Sequence, residues 1–285
     1  MTKGFDNEVF CSVVIVSYNP DCRLLQNVIF LSSINLIRDI IIVDNSTEEN
    51  NIVKELSLLD KVLVIDVKGN KGIGYAQNIG IKESKKMGYK WVLTLDHDTI
   101  VKENLFIKYL EYISNHNCSQ MAIIATDYYD IGVGKLKFNN IEPIDVLETI
   151  SSGSLLNVNI YNVLGQMKEH YFIDQVDNEY CYRAVNNGYR IVILPGIGME
   201  HRLGNTKEIK LCGKSFYLYN QAPIRTFYRT RNTLYFVREY NDRDLLIKKV
   251  RSLIIDFLKI FLEEDSMKKC YQFMRGLYYG IFGKI

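Results

Sequence analysis

The stretch Trp91-Val92-Leu93-Thr94-Leu95-Asp96-His97-Asp98 joins a short apolar run to two carboxylates. The run 91–95 is continuous and bounded by turn-prone residues, which is typical of a buried β-strand. Asp96 and Asp98 follow where the strand gives way to a loop, so both side chains can turn toward one ion. The pattern predicts a buried sheet with a polar site at the end of this strand.

Similar apolar runs precede this strand, and helix-like stretches separate them. The predicted strands are residues 12–17, 40–43 and 62–67, and the predicted helices are residues 22–36, 52–58 and 75–87. Strands that alternate with helices predict an α/β fold with a wound, mostly parallel sheet flanked by helices. In such sheets ligands bind beyond the carboxyl ends of the strands. The residues that directly follow the apolar runs are therefore candidates for a binding site.

Each of these four predicted strands ends in polar residues. They are Ser17, Tyr18 and Asn19 after the first strand, Asp44-Asn45-Ser46 after the second, Gly69-Asn70-Lys71-Gly72-Ile73-Gly74 after the third and Asp96-His97-Asp98 after the fourth. Because the carboxyl ends of parallel strands meet at one edge of the sheet, we expect these residues to share one site.

Asp96 and Asp98 are candidate metal ligands. Hard divalent cations such as Mg²⁺ and Mn²⁺ prefer oxygen ligands and share them with substrate phosphates. Such a cation would neutralise a departing diphosphate, with an attraction of roughly 4 kcal/mol for two unit charges about 4 Å apart. The alternative is a solvated pair of loop acids, because two carboxylates at this spacing are common.

The glycines before the third predicted helix do not complete a known nucleotide fingerprint. Gly72-Ile73-Gly74 is followed by Gln77 where the dinucleotide fingerprint needs a third glycine. Gly213-Lys214-Ser215 has Glu208 where a P-loop needs its first glycine. The sequence therefore favours neither an NAD site nor a Walker-type ATP site. A helix beginning near Gly74 can still attract a diphosphate to its N-terminus, although a plain strand-to-helix turn has the same pattern.

A second acidic group comprises Asp174, Asp177 and Glu179, at the start of a helix expected over residues 174–186. Asp174 and Asp177 suit an N-cap and a first-turn acid, since free amides and the helix dipole favour negative charge there. For Asp177 we favour catalysis, because a carboxylate on a rigid element can take a proton from an acceptor hydroxyl.

His201 is a further candidate ligand, and it follows an apolar strand predicted over residues 190–194. A lone histidine more often makes a structural hydrogen bond than binds a ligand. Followed by Arg202, Leu203 and Gly204, it can also meet the metal or the diphosphate.

Composition restricts the class of protein. The chain has 285 residues, 47% hydrophobic and 24% charged, which suits one large domain or a domain with an appendage. A net charge of +2 is too small to suggest a nucleic-acid-binding protein. The six cysteines form no CxxC pair, so we expect a reducing compartment and no disulfides. We see no N-terminal secretion signal and no run of about 18 apolar residues, so the expected location is cytoplasmic.

The sequence changes character past residue 213, where aromatic residues alternate with arginines. We place a boundary near residue 215, with a catalytic domain over 1–215 and a C-terminal helical region over 216–285. Apolar and basic residues from residue 245 onward predict a pair of amphipathic helices. These helices form either a cap or homodimer interface, or an attachment to an anionic inner-membrane surface that makes the protein peripheral there.

The motifs, taken in this order, resemble those of family 2 glycosyltransferases of the GT-A fold, and within them the bacterial rhamnosyltransferase-like branch. The matching stretches are residues 14–19, 43–46, 69–78, 95–98, 152–154, 172–183 and 201–204. The resemblance covers roughly residues 11–285. It implies an inverting transferase that moves a sugar, with L-rhamnose from dTDP-rhamnose as the first expectation, onto a hydroxyl of a lipid-linked cell-surface polysaccharide precursor.

The resemblance also implies a role for each matching residue. The implied nucleoside pocket consists of Ser17, Tyr18, Asn19 and Asp44. The residues implied to border the nucleotide and the donor sugar are Asn70, Gly72, Gln77 and Asp96. The implied acceptor site consists of Ser152, Gly153 and Arg231. The implied metal ligands are Asp98, Asp96 and His201, for Mg²⁺ or Mn²⁺. Asp177 matches the general base. Glu179 is the reserve base, because many relatives carry Glu-Asp where Val176-Asp177 stands here, and Asp174 flanks it as a contact for sugar hydroxyls.

Three alternatives remain open on the sequence alone. In the first, the chain is a transferase of the same fold whose donor is UDP-galactose, UDP-galactofuranose or UDP-GlcNAc. In the second, it is a metal-dependent nucleotidyltransferase that uses Asp96 and Asp98. In the third, it is an inactive glycan-binding scaffold. The second acidic group around Asp177 favours a glycosyltransferase over both of the others.

Overall fold

The computed structural model describes residues 10–202, 204–211 and 214–284. Some features considered above lie outside these residues. They are most of the N-terminal segment inspected for a secretion signal, together with Leu203, Cys212 and Gly213.

The described chain alternates strands and helices up to β4 and then becomes richer in strands. The strands are β1 (Cys11–Ser17), β2 (Ile37–Asp44), β3 (Val62–Asp66), β4 (Trp91–Asp96), β5 (Ile100–Val101), β6 (Met121–Asp130), β7 (Lys135–Leu136), β8 (Ile144–Asp145), β9 (Ser154–Asn157), β10 (Arg190–His201), β11 (Lys207–Leu211) and β12 (Lys214–Leu218). The helices are α1 (Cys22–Ser33), α2 (Asn51–Leu56), α3 (Ile73–Lys86), α4 (Asn104–Asn115), α5 (Val158–Leu164), α6 (Val176–Asn186), α7 (Pro223–Tyr240), α8 (Arg243–Ile260) and α9 (Ser266–Phe282), with a 3₁₀ turn at Glu169–Tyr171. The four early strands and three early helices are confirmed, with ends that differ by at most three residues.

The central sheet has the order β3-β2-β1-β4-β9-β6-β10-β5. β3, β2, β1 and β4 run parallel as predicted, and β6 runs parallel to β10. β9 lies antiparallel between β4 and β6, which the sequence patterns do not reveal because its four residues are too few to show a period. The fold is therefore α/β with a mostly parallel sheet, as predicted.

Both faces of the sheet are covered, which explains the continuous apolar runs. Along β1, Val14 and Val16 belong to the core on one face, and Val13 and Ile15 belong to the core on the other. α3 approaches β1 closely at Gly80, where an added Cβ would lie 2.3 Å from Val14. This close packing fixes the start of α3 beside the carboxyl ends of the strands.

The C-terminal helices are joined to the sheet by a shared core. Tyr235 and Phe236 of α7 are buried in the same apolar cluster as Val14. Gly276 and Gly280 let α9 approach α7, since a Cβ at either glycine would lie under 3 Å from α7 atoms. The boundary near residue 215 stays a prediction. In the described ranges, no helix is both long enough and apolar enough to cross a membrane.

Candidate active site

A cavity of about 810 Å³ opens beyond the carboxyl ends of the parallel strands. The predicted site residues that line it are Tyr18, Asn70, Gly72, Gln77, Asp96, Asp98, Asp174, Asp177 and His201. Asp98, which follows β4, and Asp177 of α6 therefore face one space from two separate elements. This juxtaposition is the condition on which the sequence-based interpretation depends.

Asp96, Asp98 and His201 form a cluster that can hold a metal ion. One ligand atom of each residue lies within 4.8 Å of the others. β10 brings His201 to the cluster because it extends to residue 201, beyond the predicted strand 190–194. Two carboxylates and an imidazole fit a divalent cation such as Mn²⁺, and they accommodate Mg²⁺ through oxygen.

Neighbouring hydroxyls orient this cluster. The Oγ1 of Thr99 lies 3.0 Å from Nδ1 of His201, which leaves Nε2 facing Asp96, 3.9 Å from its Oδ2. The hydroxyl of Ser152 lies 2.7 Å from that of Thr99 and accepts a hydrogen bond from the amide of Asp96 at 3.0 Å. Hydrogen bonds of this kind fix the ring orientation of a metal-binding histidine.

The pKa of Asp96 is raised, chiefly by burial and further by the charge of Asp98, while His201 opposes the rise. Without a cation, the buried carboxyl group of Asp96 therefore resists ionisation. A divalent cation reverses this preference, because its charge favours the ionised form of every ligand. The electrostatics of the cluster thus fit the predicted metal.

The wall of the cavity formed by Asn45, Asn70 and Gly72 is built from backbone and amide groups. Asn70 accepts hydrogen bonds from the side chain of Asn45 and from the amide of Gly72, each at 3.0 Å. Gly72 has a φ of 92°, and a Cβ there would lie 2.7 Å from the carbonyl oxygen of Phe172. No larger residue fits, so Gly72 packs this wall closely against the loop that precedes Asp177.

Asp177 lies in the first turn of α6, with its side chain partly exposed to the cavity. Burial raises its pKa to about 6, the amide of Asn178 opposes the rise, and the charges of Asp174 and Asp96 add to it. A carboxylate with this pKa is largely ionised at neutral pH yet basic enough to accept a proton.

Asp174 does not cap α6. The helix begins at Val176, and its N-cap is Gln175, which adopts a left-handed conformation. Asp174 instead forms a bidentate pair with Arg225 of α7, at 2.7 and 3.2 Å. The prediction of an N-cap is therefore wrong, because a tertiary ion pair takes the carboxylate away from the helix amides.

The remaining predicted site residues do not line the cavity. Ser17 and Asp44 are buried, and Asp44 accepts hydrogen bonds from the amide and hydroxyl of Ser46, while the amide of Asn19 donates to that hydroxyl at 2.8 Å. Ser152 supports the metal cluster instead. Gly153 packs against β10, where a Cβ would lie 2.5 Å from the sulfur of Met199.

Glu179 and Arg231 also have structural partners. Glu179 is fully buried, bonds twice to Arg183 at 2.9 Å and accepts a hydrogen bond from Tyr240. Arg231 donates to the carbonyl oxygens of residues 170 and 171. Neither residue lines the cavity, so neither is positioned to act as a reserve base or as an acceptor contact.

Several lining residues had no individual role in the sequence-based site. They are Asn45, His97, Arg202, Gln221 and Tyr228. Arg225 and Arg229 line the cavity as well. The resemblance implies that the arginines of this stretch pair with phosphate of the donor or of a lipid-diphosphate acceptor, and a spacing of four residues places these two on one face of a helix.

Residues 12–164, just over half of the chain, match the sequence profile described as "Glycosyl transferase family 2". The chain belongs to this family. This glycosyltransferase is 33% identical over 280 residues to the dTDP-rhamnosyl transferase RfbF of Shigella flexneri, covering 92% of this chain and 90% of that relative. It is 24% identical over 197 residues to the low-salt glycan biosynthesis hexosyltransferase Agl10 of Haloferax volcanii, covering 61% of each chain.

Solved structures agree on the fold of this family 2 glycosyltransferase. S. aureus TarS 1–349 in complex with UDP-GlcNAc aligns with a TM-score of 0.65 at 16% identity, covering 96% of this chain and 81% of TarS. GalNAc-T7 with UDP, GalNAc and Mn²⁺ aligns with a TM-score of 0.58 at 15% identity, covering 82% of this chain and 48% of GalNAc-T7. Two further TarS structures match over 65% of their own length. The GT-A fold predicted from the sequence is thus confirmed, and the chain is a transferase of the nucleotide-sugar type.

Proposed function

We propose that this enzyme moves L-rhamnose from dTDP-rhamnose to a hydroxyl of a lipid-linked cell-surface polysaccharide precursor, with inversion at the anomeric carbon. The observation that carries the chemistry is the single cavity shared by Asp177 and the cluster of Asp96, Asp98 and His201. The similarity to the dTDP-rhamnosyl transferase of Shigella flexneri supports the choice of sugar and nucleotide.

In this proposal Asp177 is the general base. Its carboxylate takes the proton of the acceptor hydroxyl as that oxygen attacks the anomeric carbon, and the bond from that carbon to the diphosphate oxygen breaks. One displacement from the opposite side inverts the configuration. The ion pair of Asp174 and Arg225 lies beside the base. The guanidinium of Arg225 adds positive charge near Asp96, where the diphosphate leaves.

Asp96, Asp98 and His201 would hold Mn²⁺ or Mg²⁺, which neutralises charge on the departing nucleoside diphosphate when bound. Tyr18, which is half-exposed at the cavity, suits contact with the nucleoside. The further proposed donor contacts are Asn70, Gly72 and Gln77, which line the cavity. Ser17, Asn19 and Asp44 would support the pocket from behind.

A panel of nucleotide sugars tests the donor. We expect dTDP-rhamnose with Mn²⁺, at about 100 times its dissociation constant, to raise the melting temperature by roughly 5 °C. UDP-galactose, UDP-galactofuranose and UDP-GlcNAc serve as comparison donors. A larger shift with one of these would replace rhamnose in the proposal. Release of inorganic diphosphate from a nucleoside triphosphate and a sugar 1-phosphate, with no release of nucleoside diphosphate from any nucleotide sugar, would indicate a nucleotidyltransferase.

The C-terminal helices carry the features expected of a protein that meets a lipid-linked acceptor at an anionic membrane surface. Large apolar side chains on α8 and α9 are exposed, including Leu258 at 60%, Tyr278 at 61% and Phe282 at 72%. Residues 243–284 contain nine Lys and Arg against five Asp and Glu, a net charge of +4, whereas the whole chain carries +2. Exposed apolar and basic groups together favour anionic lipid over a second basic copy of this chain.

Vesicle flotation tests this contact. We expect the full chain to float with phosphatidylglycerol vesicles and to remain in the soluble fraction with phosphatidylcholine vesicles, because the basic groups add electrostatic attraction. Ile254→Glu together with Leu258→Glu should abolish flotation. Leu58→Glu alters an exposed apolar residue away from these helices and should float normally. Loss of a dimer in the α8 variant, with no flotation of wild-type protein, would indicate a protein interface instead.

A further inference from the structure

The loop before α6 has an unusual backbone geometry. Phe172, Asp174 and Gln175 have φ angles of 66°, 63° and 66°. Residues other than glycine rarely adopt positive φ, because Cβ then approaches a backbone carbonyl oxygen. Three such residues within four positions require strong contacts from outside the loop to persist.

Asn232 of α7 provides such contacts. Its side chain is fully buried, and its amide nitrogen lies 2.7 Å from the carbonyl oxygens of Tyr171 and Ile173 and 2.9 Å from that of Asp174. The carbonyl of Tyr171 also accepts the amide of Ile173 at 2.8 Å, which closes a tight turn centred on Phe172. A three-residue turn with positive φ at its centre is rare and strained.

Two arginines of the same helix complete the contact with the loop. Arg231 donates to the side-chain oxygen of Asn232 through Nε at 2.9 Å and Nη2 at 2.8 Å, so the amide nitrogen is the end that faces the loop. Arg231 also donates to the carbonyl of His170 at 2.9 Å. Arg225 pairs with Asp174. Side chains of α7 therefore bind both the backbone of the loop and the side chain of Asp174.

We propose that Asn232 is a positioning residue for sugar transfer, which holds the loop in its left-handed conformation and thereby sets the location of Asp177. The inference rests on the proposed role of Asp177 as the base. Asp177 stands two residues after Gln175, so relaxation of the loop would shift the first turn of α6. Asn232 does not line the cavity and acts only through the loop.

The test is Asn232→Ala in the full chain, with donor binding and turnover measured separately. We expect kcat to fall about 100-fold, since a displacement near 1 Å of a reacting group costs that much. The dissociation constant of the donor should change less than about threefold, because the hydrogen bonds that Asn70 accepts from Asn45 and from the amide of Gly72 do not involve the loop. The acidic limb of the kcat–pH profile should move to lower pH, because Asp177 loses part of its burial while Asp174, Asp96, Arg225 and Lys249 remain beside it.

A matched variant and a rescue separate positioning from general loss of stability. Asn157→Ala removes another buried asparagine, the N-cap of α5, and should lower the melting temperature without changing kcat or the pH profile. Adding Gln175→Gly to Asn232→Ala should recover part of kcat, because glycine adopts positive φ without strain. Should Asn232→Ala fail to fold, Arg231→Lys removes the guanidinium contacts and should lower kcat with the same shift of the acidic limb.

The two proposals fail in different ways. If Asp177→Asn is inactive while a folded Asn232→Ala or Arg231→Lys enzyme keeps kcat within about threefold of wild type, the positioning role is wrong and the base assignment stands. If Asp177→Asn keeps normal turnover, both are wrong. Equal losses in Asn232→Ala and Asn157→Ala would also overturn the positioning role.

Discussion

Asp177→Asn is expected to lower kcat about 1,000-fold while the enzyme still binds its nucleotide-sugar donor. Asparagine has nearly the same shape as aspartate but cannot take a proton from the acceptor hydroxyl. Steady-state transfer and donor titration on one preparation measure the two effects separately. Asp145→Asn, which removes an exposed carboxylate paired with Arg190, is the matched control and should turn over normally.

The pH dependence of the wild-type enzyme gives an independent test of Asp177. Burial raises the pKa of this carboxyl from an ordinary value of 3.8 to about 6, so the base becomes protonated as the pH falls through 6. We expect kcat to fall about tenfold per pH unit below that value. An acidic limb near pH 4 would mean that the titrating base is a more exposed carboxyl.

The same shift predicts a gain in stability from Asp177→Asn. The pKa of Asp177 in the folded protein lies above its value in the unfolded chain. The ionised carboxylate therefore destabilises the fold at every pH above about 6, and this cost in free energy disappears as the group is protonated in acid. The variant should therefore melt at a higher temperature than wild type at pH 7.5 and show little difference near pH 4. Lower stability at both pH values would mean that the carboxylate makes a structural contact.

The sequence reveals the sheet and its polar edge because both depend on local patterns. Continuous apolar runs indicate strands that are covered on both faces of the sheet. The residues that directly follow these runs lie at the strand ends, however the rest of the chain is connected. Asp96, Asp98 and Gly72 could therefore be placed on the cavity before the structure was known. The short strand β9 could not, since it is stabilised by pairing with β4 and β6 rather than by any pattern of its own.

The arginines of α7 show where sequence analysis stops. Arg225, Arg229 and Arg231 all fall in one basic, aromatic stretch, and composition does not say which side of the helix faces the sheet. Arg225 and Arg229 line the cavity, whereas Arg231 bonds to the loop backbone. The helical phase of α7 is set by tertiary packing of residues such as Phe236, which are distant in sequence from the site.

The two acids that flank Asp177, Asp174 and Glu179, differ in whether the sequence reveals the partner of the carboxylate. Glu179 has Arg183 four residues later, a spacing that indicates an intrahelical ion pair from sequence alone. Its partner explains why this carboxylate is buried and does not line the cavity. Asp174 offers no such local signal, because its partner Arg225 is fifty-one positions away and meets it only through the fold.

The second large effect concerns the metal cluster. Asp98→Ala is expected to lower kcat by about 1,000-fold and to abolish binding of Mn²⁺, because it removes one of the two carboxylates that attract a divalent cation. Mn²⁺ binding, followed by its electron paramagnetic resonance signal without any substrate, gives a readout that does not depend on turnover. Addition of a chelator should inactivate the wild-type enzyme, and Mn²⁺ or Mg²⁺ should restore it.

The hydrogen bond between Thr99 and His201 allows a second variant with a smaller expected loss of Mn²⁺ affinity. Thr99→Val removes the hydroxyl bonded to Nδ1 but leaves all three ligands, so Mn²⁺ affinity should fall by about 10- to 100-fold, less than for Asp98→Ala. His116→Ala, which alters a histidine at the end of α4, should bind Mn²⁺ normally. If Asp98→Ala and Thr99→Val both bind Mn²⁺ like wild type, residues 96, 98 and 201 do not form the metal site. If the wild-type enzyme binds no Mn²⁺ and keeps its activity in the chelator, protein cations neutralise the departing diphosphate instead, and Arg202, Arg225 and Arg229 line the same cavity.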